Sequence, residues 1–150
     1  MNKNKTEWQN YIKLEFLSVP ENVALARITV ASFISQVDLT LNDLEEIKVA
    51  TSEAVSNAII HGYENSPKGK IVVEAMRYQE KLILTIEDYG KGIEDIAKAM
   101  QPAYTTDPER MGLGFVFMKS FMDHVHVVST VGKGTKVVME KSLDPIKAVS

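Results

Sequence analysis

Four short glycine-containing segments, in a fixed order along the chain, constrain the fold more than any other feature of the sequence. Each lies where a predicted helix or strand begins or ends, which is where the chain has to turn. Because one small domain contains all four, we expect the side chains beside these turns to come together. The segments cover residues 53–62, 88–92, 112–114 and 132–135.

The hydrophobic spacing of the chain predicts five strands and four helices. The turn between the second and third strands is short, which makes that pair antiparallel. The expected fold is α+β, a two-layer sandwich with helices on one face of a mainly antiparallel mixed sheet. The predicted strands cover residues 11–16, 71–77, 82–88, 125–131 and 135–140, and the predicted helices cover 20–37, 40–60, 93–100 and 112–122.

The size and charge of the chain limit what it can be. A length of 150 residues suits one domain, 1–150, with frayed ends at residues 1–10 and 142–150. The formal net charge of -3 argues against direct binding to nucleic acid, which needs a basic surface. No apolar run is long enough to cross a membrane, and there is no cysteine to form a disulfide. We therefore expect a cytoplasmic protein that binds neither membranes nor nucleic acid directly.

Glu53 and Asn57 form a polar stripe on the second predicted helix. They are four residues apart and share one face, and His61 continues roughly along that face. The helix is apolar over most of its circumference, which would leave the carboxylate partly desolvated and strengthen it as a base. The amide oxygen of Asn57 is a suitable ligand for Mg²⁺. Without the other segments, an exposed Glu-Asn pair is the simpler interpretation.

Asp88 ends a predicted strand whose alternation places it on the same side as Leu84 and Ile86, which should face the core. An unpaired charge at the rim of the core is costly, so Asp88 needs a hydrogen-bond donor. The exocyclic amine of a purine would serve, and Gly90 and Gly92 would let a base approach the backbone closely. The alternative is a turn aspartate that accepts from the amide of Gly90 or Gly92, and on this motif alone the alternative is preferred.

The two later segments are weaker signals. Gly112 and Gly114 open an apolar helix whose N-terminal amides could bind phosphate, and Arg110 could reach a terminal phosphate. A pair of glycines and a surface arginine are nevertheless common features. The turn at 132–134 is most simply a hairpin turn, and Thr135 then starts the last strand.

Taken together, the segments resemble the nucleotide-binding fold shared by DNA gyrase, the Hsp90 chaperones, histidine kinases and the MutL mismatch-repair proteins. Within that fold, the chain closely resembles the anti-sigma F factors of spore-forming bacteria, which are serine protein kinases. Residues 52–63 resemble that family's N box, and residues 102–109 resemble its lid, although the stretch between Pro108 and Gly112 is slightly shorter. The resemblance extends from about Leu14 to Lys141.

The resemblance implies roles for individual residues. Glu53 would be the general base that acts on a serine hydroxyl of a protein substrate, and Arg110 the second catalytic residue, at the phosphates. Asn57 would hold Mg²⁺, and Arg27 would face the protein partners. The residues expected to bind ATP or ADP are Asn57, Asp88, Gly90, Gly92, Thr105, Thr106, Gly112, Leu113, Gly114 and Thr135.

The same resemblance implies a function. The chain would be a homodimeric anti-sigma factor that sequesters a sporulation sigma factor of RNA polymerase. It would also use Mg²⁺ and ATP to phosphorylate a serine of an anti-anti-sigma protein. Two alternatives stay open, namely a kinase of the same type in a general stress response and a nucleotide-gated binding module without catalysis.

Overall fold

A five-stranded sheet carries the fold, and the computed structural model describes residues 7–37, 39–101 and 111–143. The strands are β1 (Asn10–Leu17), β2 (Lys70–Arg77), β3 (Lys81–Asp88), β4 (His124–Thr130) and β5 (Gly134–Ser142). Their order in the sheet is β1-β2-β3-β5-β4. All four pairings of these strands are antiparallel, so the prediction of a mixed sheet is wrong for the described residues.

The helices lie on one face of this sheet, as predicted. They are α1 (Glu21–Ile34), α2 (Leu41–Asn57), α3 (Ile96–Ala99) and α4 (Met111–Phe121). The alternation of β3 buries Leu84 and Ile86 beneath the helices, where they join Ile47 and Ala54 of α2 in one hydrophobic core. The two-layer α+β sandwich is therefore confirmed, and α2 lies at its centre, in contact with both α1 and α4.

Helix α2 begins with a side-chain cap and ends in an irregular turn. The Thr40 hydroxyl accepts a hydrogen bond from the Asp43 amide at 3.0 Å, which selects Thr40 over Asn42 as the capping residue. After Asn57 the chain continues as a π-helical turn, Ala58–Gly62. Such turns are rare and occur often at functional sites. The predicted helix end near residue 60 lies inside this turn.

Several predicted boundaries differ from the structure. Strand β1 already begins at Asn10, inside the predicted frayed end 1–10. The first helix ends at Ile34 and the third covers only Ile96–Ala99, where the Asp95 side chain caps the Lys98 amide. Strand β5 continues through Ser142, whose amide donates to the Asp123 carboxylate at 2.6 Å. Ser142 therefore belongs to β5 and not to the frayed tail predicted from residue 142. The predicted connection over residues 102–110 lies outside the described residues.

Within the described part of the chain, no helix has the length and apolar character needed to cross a membrane.

Candidate nucleotide-binding site

An open cleft lies between the end of α2, the π-helical turn, strands β3 and β5 and the start of α4. It encloses about 370 Å³, part of which is open to solvent. Three of the predicted polar groups reach it, on α2, β3 and β5, together with a buried histidine. The polar side chains that line it are Asn57, His61, Asp88 and Thr135, and the apolar wall includes Ile86, Ile93, Phe115 and Val137.

Asp88 is the buried carboxylate of this cleft. It pairs across the sheet with Thr135 and is only 6% exposed. Its Oδ1 accepts a hydrogen bond from the Gly90 amide at 2.9 Å, which is the turn interaction that the sequence left as an alternative. Burial raises the pKa of Asp88 to about 6, against the opposing effect of hydrogen bonds from the Gly90 and Thr135 amides. The carboxylate thus retains capacity for a further donor.

Two glycines allow the backbone to pack closely around Asp88. A Cβ atom at Gly62 would lie 2.8 Å from the Cγ atom of Asp88, and one at Gly90 would lie 2.0 Å from the Gly62 carbonyl oxygen. Both contacts are closer than real Cβ atoms allow. Gly90 therefore does permit a close approach, as predicted, and the group that approaches it is the backbone of Gly62. The sequence analysis placed Gly62 only at a helix end and missed this contact.

The loop after β3 is held in place from both sides. Gly92 has a φ of 78°, and a Cβ there would lie 2.3 Å from the Thr130 carbonyl oxygen. The Lys91 amide donates to the Gly62 carbonyl at 3.0 Å, while the Lys91 carbonyl accepts from the Gly132 amide at 2.7 Å. The loop therefore forms a fixed edge of the cleft.

Glu53 and Asn57 meet the first turn of α4. A Cβ atom at Gly114 would lie 3.1 Å from Glu53 Oε1 and 3.3 Å from both amide atoms of Asn57. Glu53 is half-buried, in line with the predicted partial desolvation. The absence of a side chain at Gly114 lets the start of α4 lie directly against the polar stripe of α2.

Gly112 and Leu113 complete the start of α4. A Cβ atom at Gly112 would lie only 1.7 Å from the Gln101 carbonyl oxygen, so this position excludes any side chain. Leu113 is 37% exposed and does not line the cleft. The start of α4 lies close to Glu53 and Asn57, and the first backbone amides of a helix lack an intrahelical partner and suit an anion.

The Asn57 amide fits a divalent cation. Its Nδ2 atom is buried without a hydrogen-bond partner among the described residues, which is costly unless a ligand engages the amide. Rotation of the amide exchanges its nitrogen and oxygen, so either atom can face the cleft. No group of three or more His, Cys, Asp or Glu residues in the described ranges could hold a metal. A single amide ligand suits Mg²⁺, which usually keeps several waters and binds substrate phosphates.

The remaining predicted residues lie elsewhere. Arg27 of α1 donates to the Ser52 hydroxyl at 3.2 Å, beside Glu53 but outside the cleft lining. Thr105, Thr106 and Arg110 lie outside the described residues.

Sequence analysis missed Phe115 and Ile93 in the lining of the cleft, and Ser129, which contacts two lining residues. Phe115 directly follows Gly114 and is 1% exposed, a burial that the apolar run of α4 indicates in general terms. Ser129 accepts from the Ile93 amide at 2.7 Å and lies 2.8 Å from the Thr135 hydroxyl. No local pattern marks Ser129, because its contacts depend on the register of the β4–β5 hairpin.

Comparisons with known proteins agree with this geometry. Residues 16–141 match the family model of the histidine kinase-like ATPase domain. The anti-sigma F factor of Oceanobacillus iheyensis is 48% identical over 143 residues, which cover 94% of this chain and 98% of that protein. The anti-sigma F factor of Clostridium acetobutylicum is 50% identical over 135 residues, covering 89% and 94%. The chain belongs to the anti-sigma F factor family. The fold of this family is that of a kinase-type ATPase, which implies nucleotide binding.

Solved structures support the fold assignment for this anti-sigma F family member. A structure of the RsbU and RsbW domains of a Mycobacterium tuberculosis protein aligns with a TM-score of 0.65 at 18% identity. It covers 90% of this chain and 32% of that one. A blue-light activated histidine kinase of Erythrobacter litoralis aligns with a TM-score of 0.53 at 21% identity, over 70% of this chain and 32% of its own. These likenesses show the architecture alone.

Proposed function

We propose that the protein is an ATP- and Mg²⁺-dependent serine kinase that also binds and inhibits a sporulation sigma factor, and that its kinase substrate is an anti-anti-sigma protein. The observation that carries the proposal is the position of Glu53 and Asn57 against Gly114, at one end of a cleft whose floor holds Asp88. A candidate base, a candidate metal ligand and an acceptor for a purine amine thus share one site.

The adenine base would lie between Asp88 and the apolar wall of the cleft. The Asp88 carboxylate would accept a hydrogen bond from the exocyclic amine, and the backbone of Gly92, which lines the cleft, would lie beside the ring. Gly90 would contribute through its amide, which holds the Asp88 carboxylate in place. Thr135, directly opposite Asp88, adds a second polar contact. This arrangement supports ATP or ADP as the ligand.

The phosphates would extend from Asp88 toward the start of α4. The backbone amides there and the helix dipole favour an anion beside Gly112 and Gly114. Bound Mg²⁺ would neutralise charge on the phosphates as it develops during transfer. Asn57 would hold that ion, and Glu53 would accept the proton of the attacking serine hydroxyl. We also include Thr105, Thr106, Leu113 and Arg110 in the phosphate site on the strength of the family resemblance.

The partners follow from the family. Relatives at 45–50% identity over most of the chain bear the name anti-sigma F factor, which supports a sigma factor as the inhibited partner and sporulation as the context. Arg27 is the proposed partner-binding residue, because it is half-buried on α1 and its guanidinium already contacts Ser52 near the candidate base. We further propose that the protein acts in the cytoplasm as a homodimer.

The test is a phosphate-transfer assay with the variant Glu53→Gln. The protein is incubated with Mg-ATP and an anti-anti-sigma protein, and serine phosphate is measured together with ATP affinity. The variant should lose at least about a hundredfold in transfer rate, because general bases contribute on that order, and should keep its ATP affinity within a few-fold.

Glu45→Gln is the matched control. Glu45 lies on the same helix, is exposed and forms an ion pair with Lys48 at 3.3 Å, so this variant should transfer phosphate at the normal rate. Loss of ATP binding in Glu53→Gln would contradict the assignment of Glu53 as base. ATP binding without transfer in the unaltered protein would favour the nucleotide-gated binding module. Transfer only to a stress-response anti-anti-sigma protein would favour the other pathway.

A further inference from the structure

Ser129, on β4, connects three parts of the cleft edge. Its side chain is half-buried, and its hydroxyl has three close polar neighbours. The Oγ atom lies 2.7 Å from the Ile93 amide nitrogen and 3.1 Å from the Gly134 carbonyl oxygen. It also lies 2.8 Å from the Thr135 hydroxyl oxygen. Two of these neighbours, Ile93 and Thr135, line the cleft.

The directions of these hydrogen bonds follow from the chemistry of the neighbours. A serine hydroxyl donates one proton and accepts through two lone pairs. The Ile93 amide can only donate and the Gly134 carbonyl can only accept. Between Ser129 and Thr135 either hydroxyl can donate. Donation by Thr135 leaves the Ser129 proton for the Gly134 carbonyl and satisfies all three contacts. Donation by Ser129 would leave two oxygen lone pairs facing each other at the 3.1 Å contact, so we assign Thr135 as the donor.

This assignment makes the Thr135 hydroxyl a hydrogen-bond acceptor toward a ligand in the cleft. Its only hydroxyl proton is committed to Ser129, so only lone pairs of its Oγ1 remain for a molecule in the cleft. Asp88, directly across the β3–β5 pairing, presents carboxylate oxygens. The polar floor of the cleft at this point is thus made of two groups that accept and do not donate.

We propose that Ser129 is a positioning residue that makes the cleft select a 6-aminopurine over a 6-oxopurine, by holding the Thr135 hydroxyl as an acceptor. The inference rests on the proposed function, in which a purine nucleotide lies beside Asp88. Adenine offers N–H groups at position 6, which suit two acceptors. Hypoxanthine and guanine offer a carbonyl oxygen there, which would face the lone pairs of both groups.

The test compares the affinities of the full-length protein for ATP and ITP, which differ at position 6 and, through it, in the protonation of N1. The unaltered protein should prefer ATP. In Ser129→Ala the Thr135 hydroxyl can rotate and donate to the 6-oxo group, so the preference should fall roughly five- to tenfold, mainly because ITP binds more tightly. Ser129→Thr keeps the hydroxyl at this strand position and should retain the preference.

A double-mutant cycle separates this role from simple support of the loop. Thr135→Val removes the hydroxyl while keeping the shape of the side chain. In that background, Ser129→Ala should no longer change the ATP/ITP ratio. A purely structural role, in which Ser129 only anchors the Ile93 amide, would change both affinities by the same factor in either background.

The outcomes distinguish a failure of the proposed role of Ser129 from a failure of the proposed ATP-binding function. ATP binding with an ATP/ITP ratio that Ser129→Ala leaves unchanged would overturn this inference and leave the proposed function standing. An equal effect of Ser129→Ala on the ratio with and without the Thr135 hydroxyl would overturn it as well. Failure of the unaltered protein to bind ATP would overturn the proposed function and this inference with it.

Discussion

The two ends of α2 differ in whether the buried charged groups near them have a partner of opposite charge. At its start, Asp43 and Glu46 meet Lys141 of β5, whose Nζ lies 3.6 Å and 3.3 Å from their carboxylate oxygens. The same ammonium group donates to the Phe121 carbonyl at the end of α4. At the other end of α2, Asn57 reaches the cleft.

The difference lies in charge compensation. Lys141 and Asp43 are each only 3% exposed, and each has an opposite charge beside it. In the cleft, Asp88 is also buried, yet no Lys or Arg belongs to the lining formed by the described residues. A buried group without compensation weakens the folded state, and a ligand can recover that loss. The start of α2 thus stabilises the fold, whereas the cleft at its end is the site where we propose that a ligand binds.

The largest expected effect is on stability, at the start of α2. Lys141→Met would leave Asp43 buried without its cation, and the free energy of unfolding should fall by about 3 kcal/mol. Chemical denaturation measures the loss. The control Lys81→Met removes an exposed pair with Glu140 and should cost less than about 1 kcal/mol. Weaker ATP binding by Lys141→Met with unchanged stability would contradict the assignment of this end of α2 to the stability of the fold.

The next effect is on affinity, at the cleft. Asp88→Asn replaces the acceptor for the adenine amine, so ATP affinity should fall about ten- to a hundredfold, as measured by calorimetry. Stability at pH 7 should not fall with it. The pKa of Asp88 is higher in the folded protein, about 6, than its ordinary value of 3.8, so the ionised carboxylate opposes folding.

The stability of this variant has a distinct pH dependence. Because the folded state binds the proton more tightly, the contribution of Asp88 to stability is present below about pH 4 and is lost as pH rises through 6. The difference between the variant and the unaltered protein should therefore grow in favour of Asn over this window, by at most about 3 kcal/mol. A difference that grows in the opposite direction would contradict the burial of an unpaired charge.

The smallest effect is the response of ATP binding to acid. An ionised Asp88 is the better acceptor for the amine, so affinity should fall as pH drops through about 6. Between pH 7 and pH 5 the loss should be about tenfold if only the ionised form binds. Titrations with ATP at several pH values measure it, and Asp88→Asn should show a flatter profile. An equally steep profile in the variant would assign the pH dependence to another group.

The parts of this site that the sequence could predict are those governed by local periodicity. The spacing of Glu53 and Asn57 along a helix, and the alternation that carries Asp88 to the core side of β3, are properties of a few consecutive residues. Both placements are confirmed. The family resemblance then supplied the expected ligand, which spacing alone did not.

The missed features depend on contacts between distant segments. Ser129 matters because the hairpin register brings it to Thr135, and Gly62 matters because the π-helical turn sets its backbone against Asp88. Lys141 was expected close to a frayed end, although its partner Asp43 lies at the start of α2. A single charged residue in a strand gives no sign of the helix that will cover it.

The most direct measurement is an NMR titration of the isotope-labelled protein with Mg-ATP, following the backbone amides of both ends of α2. The largest shifts should occur at Asn57, Gly90, Gly92 and Thr135, while Asp43, Glu46 and Lys141 should move little. That result would place the nucleotide at the uncompensated end of α2. Shifts centred on Lys141, or absent from the residues around Asp88, would contradict it.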